Sequence, residues 1–289
     1  MRRSLMVAFV VVGTLAGLIP TAQGGARGGG FFSIHCELAH RAQDDPIVFP
    51  GQPGAAHEHD FFANRSTDAD SKRRTMLDRR STCGLNLDTA GYWAPTLLDA
   101  DGNPVAVREV LIYYRSDAGP VEAFPKNLKI LTGGDTTNPP APSRAQHSLS
   151  WACGDTAPYS ESPPDCTGTG YPVTAHIHFP DCWDGMTTDS TDHRAHMVFG
   201  SPDCPAGYLA VPLLRMHIKY ETMDASGFML SSDIQLRQPS GHTLHADFWN
   251  TWRQGLLRFL VDHCLNAGKS CNDMTDAKLK AMGFDPATA

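Results

Sequence analysis

From Phe31 onward the apolar residues come in short runs, broken by proline or glycine every ten or so positions. That rhythm punctuates strands and not long helices. Val105–Tyr114 is the richest run in β-branched and aromatic residues. Leu128–Leu131, Tyr171–Phe179, Met197–Phe199 and Tyr208–Tyr220 are further strand candidates. Short strands separated by turn signals predict a mainly β fold, a single disulfide-bonded sandwich or jelly-roll-like domain over 35–272. One segment carries a helical period. Trp249, Trp252, Leu256 and Leu260 recur at three- and four-residue spacing, which predicts an amphipathic helix over 247–264 capped by Asp247. A second short helix is expected over Thr275–Met282, stopped by Gly283, within a terminal stretch 273–289.

The beginning of the chain has a different pattern. Arg2 and Arg3 precede the uncharged apolar run Leu5–Ile19, and the small residues Thr21-Ala22-Gln23-Gly24 follow. That order reads as a secretory signal peptide over 1–24, too short to span a membrane as an anchor. A flexible glycine-rich leader is expected over 25–34. Cleavage removes two of the 24 basic residues and none of the 31 acidic ones, so the charge moves from −7 to −9. Nucleic-acid binders show the opposite balance, so DNA, RNA and anionic lipid are poor partners.

Export changes the reading of the cysteines. All eight lie after the leader and no CxxC pair occurs, so four disulfides are expected and not a zinc–thiolate site. Proximity favours Cys264–Cys271, and Cys36–Cys83 comes next because both lie outside the dense central group; the remaining connectivity stays open.

Candidate chemistry rests on histidine. His57-Glu58-His59 places two imidazoles on one side of an extended segment. Asp192-His193-Arg194-Ala195-His196 supplies a second pair, spaced as on one helical turn. Two distant pairs can gather a divalent ion, zinc or copper being the ions imidazole suits. Asp60, Asp184 and Asp192 are the candidate catalytic acids, as ligand, base or orienter. His176 and His178 form a third pair that ranks below the other two. The same groups without a metal make an acid–base pair of the kind a glycan hydrolase uses. Tyr92-Trp93, Tyr113-Tyr114, Trp183 and Tyr208 are either core or a sugar-stacking platform. Serine-hydrolase, HExxH and phosphate-loop motifs are missing. Asn64-Arg65-Ser66 is a glycosylation sequon.

Several longer motifs are familiar together. They are Asp45-Pro46-Ile47-Val48, His57-Glu58-His59 leading to Phe61-Phe62, Tyr92-Trp93-Ala94-Pro95-Thr96-Leu97, and Phe179-Pro180-Asp181-Cys182-Trp183-Asp184-Gly185 followed by His193 and His196-Met197. Over Cys36–Tyr220 the chain resembles the secreted family of unknown function DUF1996, found in fungi and actinobacteria, and its tail looks like the bacterial branch. The resemblance implies an extracellular setting and marks His57, His59, His193 and His196 ahead of His176, His178, His217, His242 and His245. It hands over no activity. Three expectations follow: a hydrolase of extracellular or cell-wall polysaccharide, a non-catalytic wall- or carbohydrate-binding protein, and a secreted metal-binding protein.

Overall fold

A computed structural model describes residues 29–117, 119–134, 148–155, 158–200 and 203–285. The expected signal peptide lies outside the described residues. In chain order the strands are β1 (Phe31–Cys36), β2 (Leu38–Ala42), β3 (His59–Ala63), β4 (Gly91–Pro95), β5 (Leu97–Leu98), β6 (Val107–Arg115), β7 (Lys129–Gly133) and β8 (Leu149–Cys153). They continue as β9 (Val173–His178), β10 (Cys182–Trp183), β11 (Met197–Val198), β12 (Leu209–Ala210), β13 (Leu213–Tyr220), β14 (Met229–Leu230), β15 (His245–Trp249) and β16 (Ser270–Cys271). The helices are α1 (Arg73–Met76), α2 (Ser231–Leu236), α3 (Gln254–Leu260) and α4 (Asp276–Ala281).

Two sheets carry the fold. One runs β16-β1-β6-β13-β9-β8 and the other β2-β3-β4-β15-β7. Pleating sends alternate side chains to opposite faces. In the six-stranded sheet the register row Ile34–Ile112–Met216–Ile177 points inward, and every member is buried. The row Phe62–Tyr92–Phe248–Ile130 does the same from the five-stranded sheet. Both rows belong to one hydrophobic core, giving a sandwich-like, mainly β arrangement. Each such side chain contributes roughly 1.5–3 kcal/mol on burial.

The five-stranded sheet is also covered on its outer face. Phe61 and Trp93 pack there with Ile47, Met76 and Trp249 as a second, smaller core. Strand alternation places His59, His245 and Asp247 on that same outer face.

The C-terminal helix is present but begins later than its periodicity suggests. Residues 245–249 form β15, hydrogen-bonded between β4 and β7, and the helix starts at Gln254. It continues beyond Leu260 as a π-helical turn, Val261–Leu265. Trp249 ends β15 and Trp252 lies in the connection that precedes the helix, so their three-residue spacing is not helical. Asp247 therefore caps nothing. Phe31 already opens β1 within the expected glycine-rich leader, of which 25–28 lies outside the described residues. The predicted strand over 208–220 divides into β12 and β13 at Val211-Pro212.

The disulfides are Cys36–Cys83, Cys153–Cys166, Cys182–Cys204 and Cys264–Cys271. No described cysteine is free, and no described helix is long and apolar enough to cross a membrane. The four disulfides are consistent with an extracellular protein. The sequon has a structural use: Asn64 is fully buried and its amide donates to the carbonyls of Met76 and Thr89.

Candidate metal centre

His57 lies just before β3 and His59 opens it, so an extended backbone brings the two rings to 4.2 Å between centroids. The backbone between them is pinned, since the Glu58 carbonyl accepts from the Thr96 amide and the Ser231 hydroxyl. His245 opens β15, two strands away across Pro95, and leans over to meet them. The turn leading into His245 is held by Asp233, whose buried carboxylate accepts from the backbone amides of Leu230, Gly241 and Thr243.

The hydrogen bonds decide which nitrogen of each ring carries its proton. Nδ1 of His59 donates to the Asp44 carbonyl at 2.9 Å, and Nδ1 of His245 to the Thr243 carbonyl at 2.7 Å. Nδ1 of His57 donates to the Gln235 side-chain oxygen at 3.1 Å. In each neutral ring Nε2 is then a bare lone pair. Those lone pairs point at one another. Nε2 of His245 stands 3.2 Å from Nε2 of His57 and 3.4 Å from Nε2 of His59. Protonating a ring to relieve the clash is opposed by burial, which pushes His57 down, His59 well down, and His245 to about 3.

Three lone pairs converging with no proton between them are the arrangement a cation completes. Zinc–nitrogen bonds of about 2.0–2.1 Å in a tetrahedron put neighbouring nitrogens about 3.3–3.4 Å apart. The observed separations fit that edge. A carboxylate pair adjoins the three rings: an oxygen each from Asp45 and Asp247 lies within 4.8 Å of the other and of a ring nitrogen of His59. Burial raises both acids, Asp247 well above the carboxylate range with Asp45 adding to the push.

The sequence profile of the Domain of unknown function (DUF1996) matches residues 45–252, from the first of these carboxylates to just beyond the last. The chain belongs to the DUF1996 family. Comparison with curated proteins and with solved structures finds no match.

In this DUF1996 chain the second histidine pair lies beside the centre without joining it. The segment 184–196 is a series of turns, with His193 at a φ of +57°, so the pair does not share a helical turn. Both ring nitrogens of buried His196 are engaged, Nε2 by the Lys129 carbonyl and Nδ1 by Ser190. His193 bonds Asp189, whose other oxygen holds Lys129. His193 and Lys129 are nonetheless near enough to Asp45 to draw its carboxyl down against the larger effect of burial.

The three acids have local partners. Asp60 alternates to the inner face of β3 and is bonded to Arg41 at 2.6 Å and to Thr96. Asp184 accepts from the amides of Met186 and Thr187, and Asp192 from those of Arg194 and Ala195. Such bonds are turn chemistry. His176 and His178 line the outer face of the other sheet beside His217. Of the aromatic candidates, Tyr92, Trp93 and Tyr114 are core.

His245 is the residue that sequence reasoning passed over. The available signal was His245-Ala246-Asp247, which repeats the two-residue spacing of His57-Glu58-His59. It was obscured by the apparent helix start.

Proposed function

We propose that this DUF1996 protein is a secreted metalloprotein that holds zinc or copper through His57, His59 and His245. We further propose that it hydrolyses an extracellular or cell-wall polysaccharide with water activated by that ion. The observation that carries the metal reading is the convergence of three Nε2 lone pairs, each fixed by a carbonyl oxygen on the far side of its ring. Three imidazoles leave coordination positions open, the pattern of catalytic zinc. His57 is only partly buried, so a substrate can reach the ion from that side. Secretion is supported by the leader sequence and the four disulfides.

Protein purified from its native secretion medium without a histidine tag should carry close to one zinc or copper ion per chain by elemental analysis. The double variant His57→Ala/His245→Ala should carry none and keep its β circular dichroism. Incubation with chitin, peptidoglycan and β-glucan, with and without chelator, tests the reaction. Metal-dependent release of reducing sugar supports hydrolysis. Sugar binding without product would replace it by a wall-binding role, and metal uptake with neither by a metal-binding one. A metal-free wild type that refuses zinc sinks the centre.

A further inference from the structure

A buried ionised carboxylate without a partner is among the costliest groups a fold can hold. Asp247 is fully buried, and among the described residues neither of its oxygens has a hydrogen-bond partner. Asp45 is 4% exposed and spends Oδ1 on the amides of Ile47 and Val48. Arg194 is the nearby cation, but its bonded terminal nitrogen serves the Gly133 carbonyl and it gives Asp247 no hydrogen bond. The indole N–H of Trp93, the register partner of Asp247, is also unpartnered. A neutral donor does not cancel a charge.

Resting on the tri-histidine reading, we infer that Asp247, braced by Asp45, supplies a charged oxygen ligand to the ion held by His57, His59 and His245. Asp247 follows His245 by two residues on β15 and so shares the outer face, where one of its oxygens lies within 4.8 Å of a ring nitrogen of His59. The set of mutually close ligand atoms joins it to Asp45 and His59 and not to His57 and His245, so reaching the ion takes a side-chain movement. The charges fit. Neutral imidazoles leave a dication uncompensated in a dry pocket, and the two carboxylates balance it. Two dications would leave the pocket strongly positive beside Arg194 and Lys129, so one ion is expected. Three nitrogens and one oxygen suit zinc, cobalt, manganese or iron, and they disfavour the soft cuprous ion. A water would make the ion five-coordinate, which zinc accepts in catalysis.

The test is Asp247→Asn in the full mature chain, which keeps the shape and removes the charge. Zinc affinity is read by competition with a chromophoric chelator, the first shell by the cobalt(II) absorption spectrum, and stability by melting with and without zinc. Outer-shell losses cost about 10–100-fold in affinity, so loss of a ligand should cost at least about 100-fold. The cobalt spectrum should change, and the melting increment that zinc confers should shrink. The zinc-free variant should melt at or above the wild type, because a partnerless buried acid has gone. Asp247→Glu keeps the charge but displaces the oxygen, and it should retain more affinity than Asp247→Asn. Unchanged affinity and an unchanged cobalt spectrum in Asp247→Asn would overturn the assignment. If His57→Ala still abolished binding, the tri-histidine reading would stand without it. A wild type that binds neither zinc nor cobalt overturns both. If Asp247→Asn does not fold, an Asp247→Glu cobalt spectrum identical to the wild type is the overturning result.

Discussion

Asp88 is an acid placed where water cannot reach it. Its side chain accepts from the Ala90 amide and from the Tyr92 hydroxyl, which meets the Tyr114 hydroxyl at 2.6 Å, and Trp252 donates to Tyr114 in turn. Burial outweighs those bonds and raises the Asp88 carboxyl to about 7. The sign follows from linkage. An acid raised in the folded state binds its proton more tightly there than in the unfolded chain, so its stabilising share is complete below the ordinary pKa of 3.8 and is lost as pH rises through about 7. Asp88→Asn should therefore gain on the wild type as pH rises from about 4 to about 7 and keep that gain at pH 8, by a few kcal/mol at most. Urea midpoints at pH 5 and pH 8 measure it; an unchanged gap between the two proteins at both values contradicts the argument. Single residues were unevenly legible in the sequence. The shared side of His57 and His59 follows from period two alone. That His245 completes the set depends on a contact between residues 188 apart in the chain, and no local pattern encodes that.

At the scale of elements, β7 and β15 set the space around His245. β7 ends in Gly133, opposite His245, and Gly134 follows; both have positive φ, +78° and +73°. A Cβ on Gly134 would stand 3.0 Å from Cβ and Cγ of His245. Gly134→Ala should thus turn the ring away from its Thr243 bond and weaken zinc binding, besides costing about 1–3 kcal/mol for the left-handed backbone. Gly102→Ala is the control, with a similar φ of +82° and open space around its Cβ. It should lose stability and keep zinc affinity, as read by the same chelator competition. Equal affinities in the two variants would show that the ring is not confined from this side. Element legibility divides along burial. Strands with β-branched or aromatic runs, such as β6 and β13, are plain in the sequence. β3, β4 and β15 are buried on both faces, so they lack the polar alternation that announces a strand. In β15 the tryptophan spacing then imitated a helix.

Across the whole molecule, both sheets hold neutral histidines out of water. Beyond His57, His59 and His245 on one outer face, burial lowers His176 to about 4 and His178 to about 2 on the other, where Arg215 and His217 add to the effect. A base lowered in the folded state binds its proton more readily when unfolded. Stability therefore falls as pH drops below the ordinary value of 6.5, a fall that the raised carboxyl of Asp88 partly offsets. Each proton taken up on unfolding tilts the curve by about 1.4 kcal/mol per pH unit. Glu109 and Asp155 extend the loss to lower pH, because hydrogen bonds to Lys219, His35 and His217 hold both below the usual carboxylate range. Their share is present above that range and disappears as pH falls through it. The metal-free protein should consequently show a urea midpoint that declines from pH 7 to pH 5 with a slope above one proton. His176→Gln/His178→Gln should flatten that slope. Zinc at pH 7 should raise the midpoint and steepen the decline, since protons compete with the ion for the same lone pairs. A midpoint independent of pH over this interval, in zinc-free protein, would mean that these rings are not held neutral by the fold.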